Sequence, residues 1–435
     1  MTDSPPSLVS VLSAQVTLTG ATLAPGNVSL LSAPKTVELT RLQTDVAYLA
    51  TAGNIPAGNY TAITLTFANP SLTIENDMAT AIAGCAVGAV CKIAPTSTAN
   101  LSTSVPLTSF SISSNSTTGL LIDVNLENML NTALGEDFSA GTSVTPFTPA
   151  GVLAPPVGAE DVVGQVGSVS ASNNTFTLTN ATASYTLKVD NTSTFFQVPT
   201  NVCATSGFSC LQNNQIASVD IGIQSDGSIL ARNIVFEDAD SSDAEIEGMI
   251  TSTANIGSQQ FSIVIQTMSA AVSGLSIGQP IPVQYSTASP LTTFDLDLLH
   301  ADNLQVSTSG FLFSAPADLL VGQQVSVRRN SSSTGSLIKA DRVRLRSTRL
   351  SGTVQIGPPN IFLSPGSLIP FFTGHGITTG ITAQTSLSPP TIYFEIGQTI
   401  NSSNIAINNP VSVRGPLFNV GGGRTLLATK VVEKP

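Results

Sequence analysis

Apolar residues at every second position recur along this chain, and that period decides what it can fold into. "VSVLSAQVTLTG" (9–20), "YTAITLTFA" (60–68), "NTFTLTN" (174–180), "QFSIVIQ" (260–266), "QQVSVRR" (323–329) and "DRVRLRS" (341–347) all show it. Successive side chains of an extended strand point to opposite faces, so each segment reads as a strand with one buried face. Val, Ile, Thr and Phe, which fit a pleated surface, are enriched in them. Between them lie "APGN", "SNNT", "QSDGS" and "SSSTGS", clusters of the residues that tight turns require. The fold class is therefore all-β. One stretch, "NLENMLNTAL" (125–134), sets Leu126, Met129, Leu130 and Leu134 at helical spacing and reads as a short helix.

A chain of 435 residues is too long for one ordinary core. Only 10% of its residues are charged, so Ser, Thr, Asn, Gln and Gly must cover most of the surface, a pattern suited to secreted and envelope β proteins. The net charge of −11 disfavours nucleic acid and anionic membranes, which demand clustered Lys and Arg. No run of apolar residues is long enough to cross a membrane as a helix. "MTDSPPSLVS" lacks a basic and then apolar leader, so an export signal is expected to have been removed.

Segments 1–134 form a first unit, closed by "GEDFSAGTSVTPFTPAGVLAPPVG" (135–158), a connector rich in Gly, Pro, Ser and Thr. The remainder of the chain carries an internal repeat. "VVGQVGSVSASNNTFTLTN", "IEGMITSTANIGSQQFSIVIQ" and "LSGTVQIGPPNIFLSP" share a Gly, a short strand, a turn and a Phe-containing strand. "GSILARNIVFED", "GSLIKADRVRLRS" and "GRTLLATKVVEKP" share an apolar pair, an Ala, a polar residue and a closing strand. The repeats occupy 159–240, 241–348 and 349–435. Units of this size hold about five or six short strands, and closure into a small barrel would remove their exposed edges. The expected architecture is an N-terminal β-sandwich followed by three small β-barrel-like modules in tandem.

"IPAGNYTAITLTF" (55–67), preceded by "VSLL" and "VELTRL" and followed by "GLLIDVNL" (119–126), resembles the domain of unknown function 4382, a β-sandwich module of bacterial envelope proteins. The three repeats resemble the domain of unknown function 5666, a small barrel-like module that occurs in tandem. The third departs most, inserting "PGSLIPFFTGHGITTGITAQTSLSPP". These resemblances imply an envelope location and an architecture, and they bring no catalytic residues.

The candidate chemistry is sparse. The four cysteines form two close pairs, Cys85 with Cys91 and Cys203 with Cys210. Their spacing is too wide for a zinc knuckle or a Cys-x-x-Cys redox motif, so two local disulfides are expected, bonds that persist outside the cytoplasm. Glu237, Asp238, Asp240 and Asp243, in an acidic run that continues to Glu245 and Glu247, offer hard oxygen ligands for calcium or form a solvated linker. Asp295, Asp297, His300 and Asp302 cluster in "TFDLDLLHADN" as a metal or acid/base group, or as the polar end of a strand. Arg342, Arg344 and Arg346 share one strand face, suited to an anionic glycan or to the acidic linker of a neighbouring repeat. A hydrolase would need His300 or His375, the only histidines, beside a carboxylate in a cleft, and no G-x-S-x-G elbow is present.

The resulting expectation is a non-catalytic, exported protein of the cell surface, periplasm or extracellular space, with a structural, adhesive or self-assembling role. Its partners would be other envelope proteins or copies of itself, joined by strand addition with Val9–Thr19 as donor. The alternative is a glycan- or calcium-binding surface module. No cofactor is expected, with calcium on the acidic run as the alternative.

Overall fold

In the computed structural model the first alternating segment becomes strand β1 (Ser10–Ala24), and the rest of the N-terminal unit is assembled on it. The structure describes residues 9–435 except 51, 115, 150–157, 180–183, 198–202, 204, 237–243, 270–271, 298–300, 302–303, 305–310, 396–397, 422 and 434–435. One edge of β1 takes β2 (Lys35–Glu38); the other pairs antiparallel with β3 (Gly58–Glu75), from Ser10 opposite Glu75 to Ala24 opposite Ala62. β3 then carries β4 (Val90–Ile93) on one half and β5 (Ser102–Ile112) on the other, and with Val28–Ser29 the sheet has six strands. A register shift between Leu18 and Gly20 changes the phase of β1 by one residue. That bulge lets both Leu18 and Ala21 face the core although they are three apart. β1 pairs with β3 along its length and with β2 over Gln15–Leu18, so the segment 9–19, expected as a donor for strand addition, lies largely within its own sheet in this structure.

Strands β6 (Gly119–Val124) and β7 (Thr142–Phe147) pair antiparallel and face the larger sheet. Between them α1 (Leu126–Met129), capped by Asn125, and α2 (Phe138–Gly141), capped by Asp137, make one turn each. Phe138 of α2 stacks on Phe67 of β3 at 4.6 Å. Two sequence expectations change here. The helix ends at Met129, because Leu130 turns extended and bridges to Glu136. The expected connector contributes α2 and β7 to the first unit.

The next two units are each a closed five-stranded barrel with one added strand, and the last elaborates the same strand order into nine strands. In the first, β8 (Gly158–Ser170) pairs with β9 (Thr175–Thr179) and β12 (Ile216–Ile223), and β13 (Ile229–Phe236) closes the ring by running parallel to β10 (Ser184–Val189). β11 (Phe195–Gln197) lies parallel on the outer side of β13. The second repeats this order with β14 (Glu245–Ser252), β15 (Gln260–Met268), β16 (Pro280–Gln284), added β17 (Thr293–Leu296), β18 (Gln324–Arg329) and β19 (Ile338–Arg346). The third uses β20 (Thr348–Ile356), β21 (Asn360–Leu363), β22 (Ile381–Gln384), added β23 (Ile392–Glu395) and β24 (Pro410–Gly415). Here a hairpin strand, β25 (Leu417–Val420), is inserted and the closing strand is split into β26 (Gly423–Leu427) and β27 (Lys430–Glu433).

The repeated residues now acquire reasons. Gly248 opens the second barrel because a Cβ there would stand 2.2 Å from the Val264 carbonyl oxygen of the neighbouring strand. The Ala of each closing segment accepts a threonine hydroxyl through its carbonyl at 2.6 Å: Thr194 to Ala231, Thr292 to Ala340, Thr391 to Ala428. Each threonine directly precedes the added strand, so the bond pins that strand where it joins the barrel.

The units share packing. Met249 and Val264 on the outside of the second barrel, Leu12 of β1 and the core of the third barrel form one apolar cluster. β15 is consequently buried on both faces from Ile263 to Gln266, where alternation alone indicates one buried face. The insertion in the third repeat supplies α3 (Pro370–Gly374), which buries Phe371 and Phe372 in the same cluster.

Candidate functional site

Both cysteine pairs form disulfides, Cys85 with Cys91 and Cys203 with Cys210, which leaves no thiol for metal or redox chemistry. Glu237, Asp238, Asp240 and Asp243 lie outside the described residues, as do His300 and Asp302. Among the described residues no group of three or more His, Cys, Asp or Glu is placed to hold a metal ion.

The arginine face is built as the alternation indicates, with Val343 and Leu345 in the barrel core and the three guanidinium groups outside. The added strand β17 runs beside β19 in parallel register, which sets Asp295 opposite Arg344. Arg344 donates to Asp295 at 2.9 Å, Arg346 pairs with Asp297 at 3.2 Å, and Arg342 approaches Glu245 at 3.9 Å. Two groups that the sequence leaves as separate candidate sites are thus each other's partners. Arg342 and Arg346 are buried, so this face is a seam inside the molecule and offers a glycan little surface.

The seam continues into the N-terminal unit. Arg41 pairs with Glu247 at 2.9 Å. Burial alone would raise the Glu247 carboxyl, but Arg41, Arg346 and Arg349 outweigh it and hold it down at about 2. Asp45 receives three cations of the third barrel: Arg349, Arg414 at 3.0 Å and Lys430 at 3.3 Å. All four side chains are buried. Gln266 of the second barrel donates to the Leu12 carbonyl at 2.9 Å, and the Phe371 amide donates to the Ser10 hydroxyl at 2.6 Å. His375, just after α3, lies 3.0 Å from Glu75. The Glu75 hydrogen bond raises the imidazole above its ordinary value, and burial only partly opposes it. His375 therefore stands beside a carboxylate, in a clasp between units.

A large hollow lies in the N-terminal unit, between the inner face of the six-stranded sheet and the β6–β7 pair, with a volume of about 830 Å³. Val16, Leu18 and Leu23 of β1, with Ile63 and Phe67 of β3, form one wall. Leu120 and Ile122 of β6 form another, and residues 44–50, 52–55 and 57, between the 3-10 turn Leu39–Gln43 and β3, form a third. Ile223 and Gly227 of the first barrel and Phe394 and Val432 of the third close the ends. Every residue from Gly119 to Asp123 is only half buried, which is how a strand looks when it faces a hollow instead of a packed neighbour. At the edge of the hollow stand the exposed residues Ser113, Ser114 and Ser116. Its ionisable lining residues besides Tyr48 are Asp45, Asp123 and Glu395. Among the described residues that line it none is His, Lys, Arg or Cys.

The unit that holds this hollow is the part of the chain with a known likeness. Residues 1–143 match the family model of a domain of unknown function, DUF4382. The matched region reaches the start of β7 and therefore spans nearly the whole sheet-and-hairpin unit. No curated protein matches the sequence. The DUF4382-like domain is thus the centre of the molecule: it touches all three barrels and contributes most of the cavity wall. Alternation in the sequence marks its two longest strands, β1 and β3, but not the hollow. The available signal was "DVAYLATAGNIPAG" (45–58), apolar yet without the alternation of its neighbours.

Proposed function

We propose that this chain is an exported, non-catalytic protein of the bacterial cell envelope whose work is structural or adhesive. The DUF4382-like domain acts as a hub that holds three barrels, tandem copies of the domain of unknown function 5666, in one fixed arrangement presented to other envelope proteins or to copies of itself. The observation that carries this reading is the buried Asp45 node, in which one carboxylate of the hub is clasped by three cations of the third barrel. Beads on a string have no need of it. Two disulfides support export, since such bonds persist in oxidising compartments. The commitment of His375 to Glu75 and of the arginine face to Asp295 and Asp297 supports a non-catalytic role.

Assembly by strand addition falls to barrel edges instead of β1. β11 ends its sheet, and Phe195 on it is 69% exposed.

Export and surface display are tested by fractionating cells that produce the native protein and treating it with an alkylating reagent without reductant. The expected result is an envelope or extracellular protein with no alkylated cysteine. Four modified thiols in a cytoplasmic fraction would overturn the reading. The adhesive role predicts that beads coated with the purified protein bind envelope preparations or one another, and that Phe195→Lys weakens self-binding.

A further inference from the structure

The hollow of the DUF4382-like domain has a chemistry of its own. Its volume of about 830 Å³ lies in the range of small-molecule sites, and its walls come from segments far apart in the chain. Those walls are dominated by Leu, Ile, Val and Ala. Branched aliphatic walls suit a flexible alkyl chain, while flat rings are usually held by stacked aromatic side chains. Water inside would meet few polar partners, so displacing it by an alkyl chain is favourable.

The edge is different. The exposed residues Ser113 and Ser114 bring hydroxyls to the lining between β5 and β6, beside Ser116, whose own hydroxyl donates to the Ser113 carbonyl at 2.7 Å. Among the described lining residues the ionisable ones besides Tyr48 are Asp45, Asp123 and Glu395, of which Asp45 is clasped by Arg349, Arg414 and Lys430, and none is Lys, Arg or His. An anionic head would find no cation to pair with among these lining residues, whereas hydroxyls accept and donate hydrogen bonds to an uncharged polar head.

An entry route is also present. The described residues of 46–57 cover one side of the hollow, with no helix or strand and no ladder of sheet hydrogen bonds. Leu49 and Ile55 in this segment are half buried against the core. Held by these contacts, by the edge-on Tyr48–Tyr185 pair and by the Tyr60 hydroxyl donating to the Pro56 carbonyl, but by no sheet ladder among its described residues, this wall opens at less cost than a sheet strand.

We propose that this cavity binds one molecule of a single-chain, uncharged amphiphile, with its alkyl chain among Leu18, Leu49, Leu120 and Ile122 and its hydroxylated head at the serine rim. The site goes beyond the structural role, because an adhesive hub requires no internal ligand.

The test uses the full-length purified protein, with Nile red as a fluorescent reporter and monoolein and sodium oleate as competitors. Expected are saturable binding of one dye, displacement by monoolein at a concentration about tenfold below that of oleate, and a rise in Tm on adding monoolein. Leu49→Trp and Leu120→Trp, which fill the hollow from two different walls, should weaken dye binding at least about tenfold. Ile407→Trp, at an exposed position of the third barrel, should leave it unchanged. Circular dichroism identifies any variant that has failed to fold, and the monoolein-dependent Tm of the unaltered protein gives a readout that needs no variant. Unsaturable dye binding, undiminished binding in both folded tryptophan variants, no monoolein-dependent rise in Tm, or oleate competing as well as monoolein would overturn the proposal. Each result is independent of where the cell places the protein, so failure here and failure of the export reading are distinguishable.

Discussion

At the scale of single residues, the molecule places several charges where their protonation affects the fold. Glu136, between the short helices of the DUF4382-like domain, is buried, and one carboxylate oxygen has no hydrogen-bond partner among the described residues. Burial pushes its carboxyl up from 4.5 to about 7. A folded-state value above the unfolded one means that full stability is present below pH 4.5 and is lost as the pH rises through 7. Glu136→Gln removes that penalty. Urea unfolding at pH 8 should show a gain of about 1–3 kcal/mol, shrinking toward zero near pH 4.5. A gain independent of pH would place its origin in packing. The sign is the same for His375, but its cause is a partner. Its value is raised by Glu75, so the clasp stabilises below the unfolded value of 6.5 and weakens as the pH rises through the higher folded one. His375→Gln should therefore cost stability in mildly acidic buffer and little in alkaline buffer. Melting curves across that range decide it, and equal losses at both ends would assign His375 a packing role.

Elements show which parts of the fold can be read from sequence. Alternation located the first strands of the DUF4382-like domain and strands in each of the first two barrels, because a half-buried strand writes its period directly into the sequence. Strand β7 was hidden: "TSVTPF" has a proline and faces a hollow, so its burial is only partial. The cavity was illegible for a related reason. A leucine has the same sequence signature whether it touches a neighbour or lines a void, and these leucines come from segments far apart in the chain. The arginine face was visible as a pattern, but its partners depend on the parallel register of β17 and β19, which pairs residues about fifty apart. The repeated Ala was visible without its reason, the threonine clamp. That clamp predicts a cost at an otherwise inconspicuous side chain. Thr292→Val keeps the shape but strips a bond from the buried Ala340 carbonyl side, and it should destabilise the second barrel by about 1–3 kcal/mol. Thr391→Val should do the same in the third. Hydrogen exchange at the added strands β17 and β23 should accelerate in these variants, and unchanged exchange would mean that the strands are held by other contacts.

For the whole molecule, the distribution of apolar clusters sets which units melt together. Leu12 of the hub, Met249 and Val264 of the second barrel and the interior of the third form a single cluster, while Phe418 and Leu427 of the third barrel join the core of the second. The first barrel has its own core, in which Tyr48 is the contribution of the hub, packed edge-on against Tyr185. Calorimetry should accordingly resolve a large transition for the hub with the second and third barrels and a smaller one for the first barrel. Asp45→Ala tests the coupling. It leaves Arg349, Arg414 and Lys430 buried together without their shared carboxylate, and breaking one side of a buried ion pair costs about 3–5 kcal/mol. Since these cations belong to the third barrel and Asp45 to the hub, that loss should lower the large transition and leave the small one in place. If the large transition instead splits, the Asp45 node is the principal bond between hub and barrel, and the shared apolar cluster is insufficient to keep them cooperative. If neither transition moves, the units are independent, and the fixed arrangement on which the structural role depends is absent.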